Sequence, residues 1–292
     1  LRTVRARIRD GRLRDYLEGQ GRHESFPTSV LRRLDGEYAY VEERTPLFRR
    51  ESLLAATEDT LRRPEIRRFA DRVTSRYVPR FDDRPLLLVP CSATKPYSES
   101  QSHAQFHRAI DYRAHTVSMT SPIGVVPQEL ETTYPAQQYD SVVTGHWSET
   151  EYEFIAAVLA RYLERADYPR VVSHLPADYR PIVDRALDRL DTVPPVEHTV
   201  VDHPTTEDSL ASLAGALEGE DRFGKREREH HTVRALADYV FGAGAGDELF
   251  CDLRTGSRYP KLRALDAGIE PRPGDDTDDD GDSRAPVLLR TP

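Results

Sequence analysis

Residues 85–90 read Pro-Leu-Leu-Leu-Val-Pro, a continuous apolar run without alternation. A short run with no polar face suits a strand buried on both sides, as in a parallel sheet covered by helices. Apolar segments of strand length return at 115–119, 140–144, 170–174 and 197–201. Helical periodicity fills the spaces at 102–112, 149–165, 177–190 and 207–217. Strands alternating with helices predict an α/β fold, with a parallel-sheet, three-layer core over about residues 85–205.

The flanks read differently. Residues 1–84 carry helical patterns at 1–19, 27–34, 51–63 and 64–77 and no strand signal. Leu1, Val4 and Ile8 share one face of the first of these, with arginines elsewhere. Arg62, Arg63, Arg67, Arg68, Arg72 and Arg76 form either a phosphate-facing stripe or a solvated face laced with acids. After the core, 206–247 reads as a helical extension with a helix at 226–240. Gly242, Gly244 and Gly246 follow that helix and not a strand, so they suit a linker better than a dinucleotide loop. Segments 248–253 and 258–265 resemble short strands. The stretch 271–292 is acidic, rich in Pro and Gly, and expected to be disordered. The chain opens on Leu1 and its one methionine is Met119, so the reading frame is expected to start upstream.

Composition removes several classes. No apolar run approaches the ~20 residues that span a bilayer, so no membrane role is expected. Two cysteines, Cys91 and Cys251, do not make a disulfide scaffold or a Cys-rich zinc module. With no leader pattern, a reducing cytoplasm is the expected compartment. The net charge is −9, and the lysines are Lys95, Lys225 and Lys261 among 41 basic residues. Salt adaptation and a GC-rich genome both account for this balance. Acidity ordinarily argues against nucleic acid as partner, but the argument weakens at high salt, where counterion release contributes less.

Chemistry is concentrated after the first core strand. Ligands of open α/β sheets bind beyond the carboxyl ends of the strands, and Cys91 follows the run 85–90 at once. Lys95 can favour its thiolate by charge. Ser92, Ser98, Ser100 and Ser102 supply small hydrogen-bonding groups, with Tyr97 and His103 nearby. His103 and His107 have a spacing that can hold zinc, but no third ligand is evident, and neither metal nor cofactor is expected. The stretch 120–147 reads as a long loop with Pro122, Gly124, Pro127 and Pro135. Within it, Glu129, Glu131 and Asp140 are candidates for general base or amine binding. Tyr134, Tyr139 and the only tryptophan, Trp147, are candidate substrate contacts; a core aromatic is the competing reading for Trp147.

The segment Pro90-Cys91-Ser92 through Lys95-Pro96-Tyr97, Ser100, Ser102 and His103 resembles the PCSxxKPYxxSxSH signature of archaeosine synthase, the tRNA-modifying enzyme of euryarchaea, at every fixed position. The SPIGVVPQELE…YP…YD…TGHW stretch resembles the core of the same family. Residues 1–48 resemble the end of a tRNA-guanine transglycosylase-like domain, so 1–84 is expected to be a helical remnant of it. Residues 248–270 resemble the approach to a PUA module. The core resembles the uracil-DNA glycosylase-like type.

The resemblance implies a transferase acting on tRNA that carries 7-cyano-7-deazaguanine in its dihydrouridine arm. It attaches free lysine to the nitrile as an amidine, and a radical SAM partner enzyme then completes archaeosine. A thiolate can attack a nitrile, so Cys91 is the expected nucleophile. Lys95 or His103 would stabilise the thiolate or protonate the nitrogen, and Glu129, Glu131 or Asp140 would hold the lysine amine. The competing readings are a Cys-dependent glutamine amidotransferase or amidohydrolase, which needs a Cys–His arrangement, and an inactive RNA-binding remnant.

Overall fold

A computed structural model describes residues 1–247 apart from 22, 50, 56 and 142–146. The expected strands at 248–253 and 258–265, the PUA-like start and the acidic tail lie outside the described residues, as does part of the strand expected at 140–144.

The helices are α1 (Arg2–Arg9), α2 (Leu13–Gln20), α3 (Ser25–Gly36), α4 (Tyr38–Glu43), α5 (Pro64–Ser75), α6 (Gln101–Ile110), α7 (Glu149–Leu163), α8 (Arg180–Leu187), α9 (Glu207–Ala216) and α10 (Lys225–Phe241). The strands are β1 (Leu53–Ala55), β2 (Leu86–Pro90), β3 (His115–Thr120), β4 (Gly124–Pro127), β5 (Tyr139–Ser141), β6 (Val171–Ser173) and β7 (Val196–His198). The main sheet runs β4-β3-β2-β6-β7. β3, β2, β6 and β7 are parallel, and β4 is an antiparallel edge.

The alternation of β2 explains the layers. Leu86 and Leu88 face one cluster, which takes Ile155 and Leu159 of α7, Ile182 of α8 and Ile66 and Phe69 of α5. Leu87 and Val89 face the other, with Phe106 and Ile110 of α6 and Leu213 of α9. Both faces are therefore dry, and the protein is a three-layer α/β structure. Local chemistry sets the helix starts. Ser148 and Glu151 form a capping box on α7, Ser100 caps α6, and Pro64 opens α5, where its missing N–H is harmless.

Four expectations need correction. The helix expected over 1–19 is two helices, broken at Gly11, whose φ of +65° suits a residue without Cβ. The helix expected over 51–63 is β1 followed by a 3-10 turn, Glu58–Arg62. Leu53 N–H donates to the Gln138 carbonyl, and Leu53 pairs with Tyr139 in a small parallel ladder with β5, a distant partner that overrides helical propensity. The long loop expected over 120–147 contains β4, folded back on β3 through Gly124, whose φ is +98°. A Cβ there would lie 3.1 Å from Val158.

The fourth is the arginine stripe, expected as either a phosphate-facing stripe or a solvated face, five of whose six members are buried or half-buried. Arg63 is buried between Asp15 and Glu18, and Arg68 holds Glu42 and the Thr45 and Pro46 carbonyls. Arg67 lies over the Tyr38 ring and Arg76 donates to the Val240 carbonyl. Arg72 sits near the Tyr239 ring, and only Arg62 of the six is exposed.

Candidate active site at the carboxyl end of the sheet

The strand order places a switch point at β2. The chain leaves β2 through α6 on one face to reach β3, and leaves β6 through α8 on the other face to reach β7. A crevice opens between the carboxyl ends of two such strands. Cys91 is the first residue beyond β2, half-buried, its N–H donating to the Met119 carbonyl. A 3-10 turn beyond β6, Ala177–Tyr179, brings in Tyr179 from the other side.

Around the thiol stand phenols and one amine. The hydroxyls of Tyr139 and Tyr179 approach Cys91, and burial is the main cause that holds both phenols well above the usual tyrosine range. Tyr139 is positioned by two further hydroxyls, Tyr97 at 2.7 Å and Thr120 at 2.6 Å. The Lys95 ammonium sits 4.0 Å from the centre of the Tyr139 ring. Burial lowers the Lys95 pKa, and the nearby Cys91 and Asp140 oppose that shift. Asp140 is exposed on β5, and Trp147 stands edge-on to Tyr179 at 4.6 Å.

The other expected site residues divide. Ser92 Oγ accepts from the Thr94 N–H in the loop after Cys91. Ser100 Oγ accepts the His103 N–H as the cap of α6, with Ser102 Oγ 3.3 Å from it, so Ser100 serves the helix start. Glu131 accepts the Ser98 N–H at 2.9 Å, bracing the same loop, and burial raises its pKa.

His103 stacks on Tyr97 and its Nε2 lies 3.0 Å from the Pro90 carbonyl, so that nitrogen is the donor. Burial lowers its pKa to about 4, and the imidazole is neutral at pH 7. With Nε2 committed, His103 is poorly arranged as the base of a Cys–His pair.

Two expected residues are not brought to Cys91. Glu129 lies at the opposite end of β3, its Oε2 3.1 Å from Nε2 of His115 and 3.4 Å from the Tyr77 hydroxyl, in a fully buried cluster. His115 is five residues before Thr120, some 16 Å along the strand at ~3.3 Å per residue. Tyr134 packs edge-on to Phe48 beside Glu65 and Arg49, away from the crevice. Conversely, sequence reasoning missed Tyr179 and Thr120. The only signal for Tyr179 was its place just after a strand at 170–174.

Fold and crevice define a three-layer α/β protein that presents a thiol, an amine and two phenols at its switch point. The chain belongs to the family described as Domain of unknown function (DUF5591), whose model matches residues 66–217. It is similar to "Archaeosine synthase" of Haloferax volcanii, 60% identical over 274 residues, 92% of this chain and 46% of that one. It is 41% identical over 278 residues to "Archaeosine synthase subunit alpha" of Methanosarcina acetivorans, 90% and 44% of the two chains. It is 26% identical over 258 residues to "tRNA-guanine(15) transglycosylase" of Methanobrevibacter smithii, 86% and 34% of the two. The chain thus spans less than half the length of these curated relatives. Among the described residues, no helix is long and apolar enough to cross a membrane.

Proposed function

We propose that this chain carries the lysine-transfer step of archaeosine biosynthesis on tRNA. The observation that carries the reading is the placement of Cys91, the centre of the archaeosine synthase signature, in the switch-point crevice beside Lys95 and two tyrosine hydroxyls. The Cys91 thiolate adds to the nitrile carbon of 7-cyano-7-deazaguanine. A C–S bond forms and the nitrogen takes a proton from a neighbouring donor, Tyr179 or Lys95, giving a thioimidate. The neutral side-chain amine of free lysine then adds to the same carbon. It loses a proton, the C–S bond breaks, and the thiolate returns while the amidine leaves on the tRNA.

Asp140, next to Lys95, is suited to receive the lysine ammonium before it is deprotonated. Glu131 and Tyr97 hold the loop that carries Cys91 and Lys95. The adduct passes to a radical SAM partner enzyme. The test is mass spectrometry of nitrile-bearing tRNA after incubation with isotopically labelled lysine, for the wild-type protein and Cys91→Ala. A lysine-sized adduct in the wild type alone is expected. An adduct of equal yield with Cys91→Ala overturns the covalent route, and absence of any adduct overturns the transfer.

A further inference from the structure

Helix α1 concentrates exposed arginines on one short element. It has eight residues, none buried and none acidic, and carries Arg2, Arg5, Arg7 and Arg9, all exposed. Among the described residues none of these four guanidiniums makes an ion pair or a side-chain hydrogen bond. Arg14, Arg63, Arg68, Arg80, Arg170 and Arg185 are all paired with acids. The chain has a net charge of −9, and Asp10, the C-cap of α1, and Glu51, which lines the groove beside it, pair with none of these four arginines.

At 100° per residue, Arg2, Arg5 and Arg9 fall within an arc of about 60°, and Arg2 and Arg9 are about 10 Å apart along the axis. Leu1, Val4 and Ile8 lie on the adjoining arc, with Ile8 57% exposed. Ile8 and Arg9 also line a groove of about 740 Å³ together with Pro46, Phe48 and Arg49 and the acids Asp10 and Glu51.

We propose that α1 is an RNA-contacting element, with Arg2, Arg5 and Arg9 on backbone phosphates and the groove beside Phe48 receiving an unstacked base. This rests on the tRNA reading above and adds a contact surface away from Cys91. Arginine forks match phosphate oxygens in pairs, and an aromatic beside a basic stripe is the arrangement that holds single-stranded bases. An acidic polypeptide would use the charges but has no need of the groove.

The test is binding of a tRNA transcript over a range of salt concentrations to three proteins: wild type, R2Q/R5Q/R9Q, and a control of equal charge, R108Q/R161Q/R226Q. Each lost phosphate contact removes about 0.7–0.9 from the slope of log K against log salt. The α1 variant is expected to have a slope shallower by about 2–3 and at least a roughly tenfold weaker affinity near 0.1 M salt. The control should stay within about twofold of wild type.

Equal slopes for wild type and the α1 variant overturn the proposal, as does an equal loss in the control, or no tRNA binding by the wild type. Capture of an Asp-rich peptide by wild type, with RNA affinity unchanged in the α1 variant, overturns it in favour of an acidic protein partner. Lysine transfer at saturating RNA, measured on the same samples, separates the two readings. Transfer absent with the slope loss present removes the catalytic reading and leaves the RNA contact. Transfer present with no slope loss does the reverse.

Discussion

The Tyr97 hydroxyl lies 2.7 Å from the Tyr139 hydroxyl, and this contact ties the loop after β2 to a strand outside the main sheet. Thr120 at the end of β3 completes the cluster at 2.6 Å. The face of Tyr139 carries Lys95, and its hydroxyl approaches Cys91. Tyr139→Phe keeps the ring and removes only the oxygen. On the proposed mechanism lysine transfer should fall at least about tenfold, since the phenol approaches the Cys91 thiol. Stability should fall by about 1–3 kcal/mol, since the buried Tyr97 hydroxyl loses its partner. Turnover and urea unfolding of the same preparation measure both; unchanged turnover means that the phenol does not serve the chemistry.

Acidification should weaken the fold through His103. Its pKa is about 4 in the folded chain against about 6.5 when exposed. Between these values the unfolded chain binds a proton that the folded chain does not. Stability is therefore complete above pH 6.5 and is lost as pH falls towards 4. At pH 5 the share of His103 is about 2 kcal/mol. Burial also lowers His107, His174 and His231, so they add with the same sign. Urea unfolding of wild type and His103→Phe at pH 7 and pH 5 should show a smaller acid loss in the variant. An equal loss in both proteins refutes the assignment.

The two glutamates of the 128–131 turn should separate cleanly. Glu129→Ala leaves His115 and Tyr77 facing a buried gap and should destabilise by about 3 kcal/mol, while turnover per folded molecule is kept. Glu131→Ala frees the Ser98 N–H, loosens the loop that carries Lys95 and should lower turnover, with less than about 1 kcal/mol lost. Active-site titration combined with denaturation distinguishes the two; the opposite pattern would place Glu129 in the chemistry.

Arg63 is 1% exposed and bridges Asp15 and Glu18. Arg63→Met takes a cation from Asp15 and leaves Glu18 with Arg14 alone, and should remove roughly 3–5 kcal/mol. Arg63→Lys should restore little of it, because a point charge cannot reproduce the fork that reaches both acids. Urea midpoints of the three proteins give the comparison, and a near-neutral Arg63→Met would show that the pair adds nothing to stability.

Much of the framework was legible because its signals are local. The run 85–90 sits on β2 almost residue for residue, 115–119 and 170–174 fall on β3 and β6, and 197–201 overlaps β7 only at 197–198. Burial on both faces leaves a short apolar run that needs no knowledge of partners. β1 was not legible, since Leu53 is a strand residue only because Gln138 and Tyr139 lie beside it. The surroundings of Arg63 and Arg68 were not legible for the same reason: their acids, Asp15 and Glu18 of α2 and Glu42 of α4, are distant in sequence.

By itself the sequence determined the parallel α/β core and the position of Cys91 directly after its first strand, because periodicity and strand ends are written within a few residues. Tertiary structure alone decided which groups meet that thiol. Tyr139 arrives on a strand paired with β1, Tyr179 on the turn after β6, and Thr120 at the end of β3, while Glu129 is carried to the far end of the sheet. Contacts between such distant residues follow from how strands are ordered and which way each runs. Strand order is set by the burial of both faces together, which no local stretch of sequence specifies.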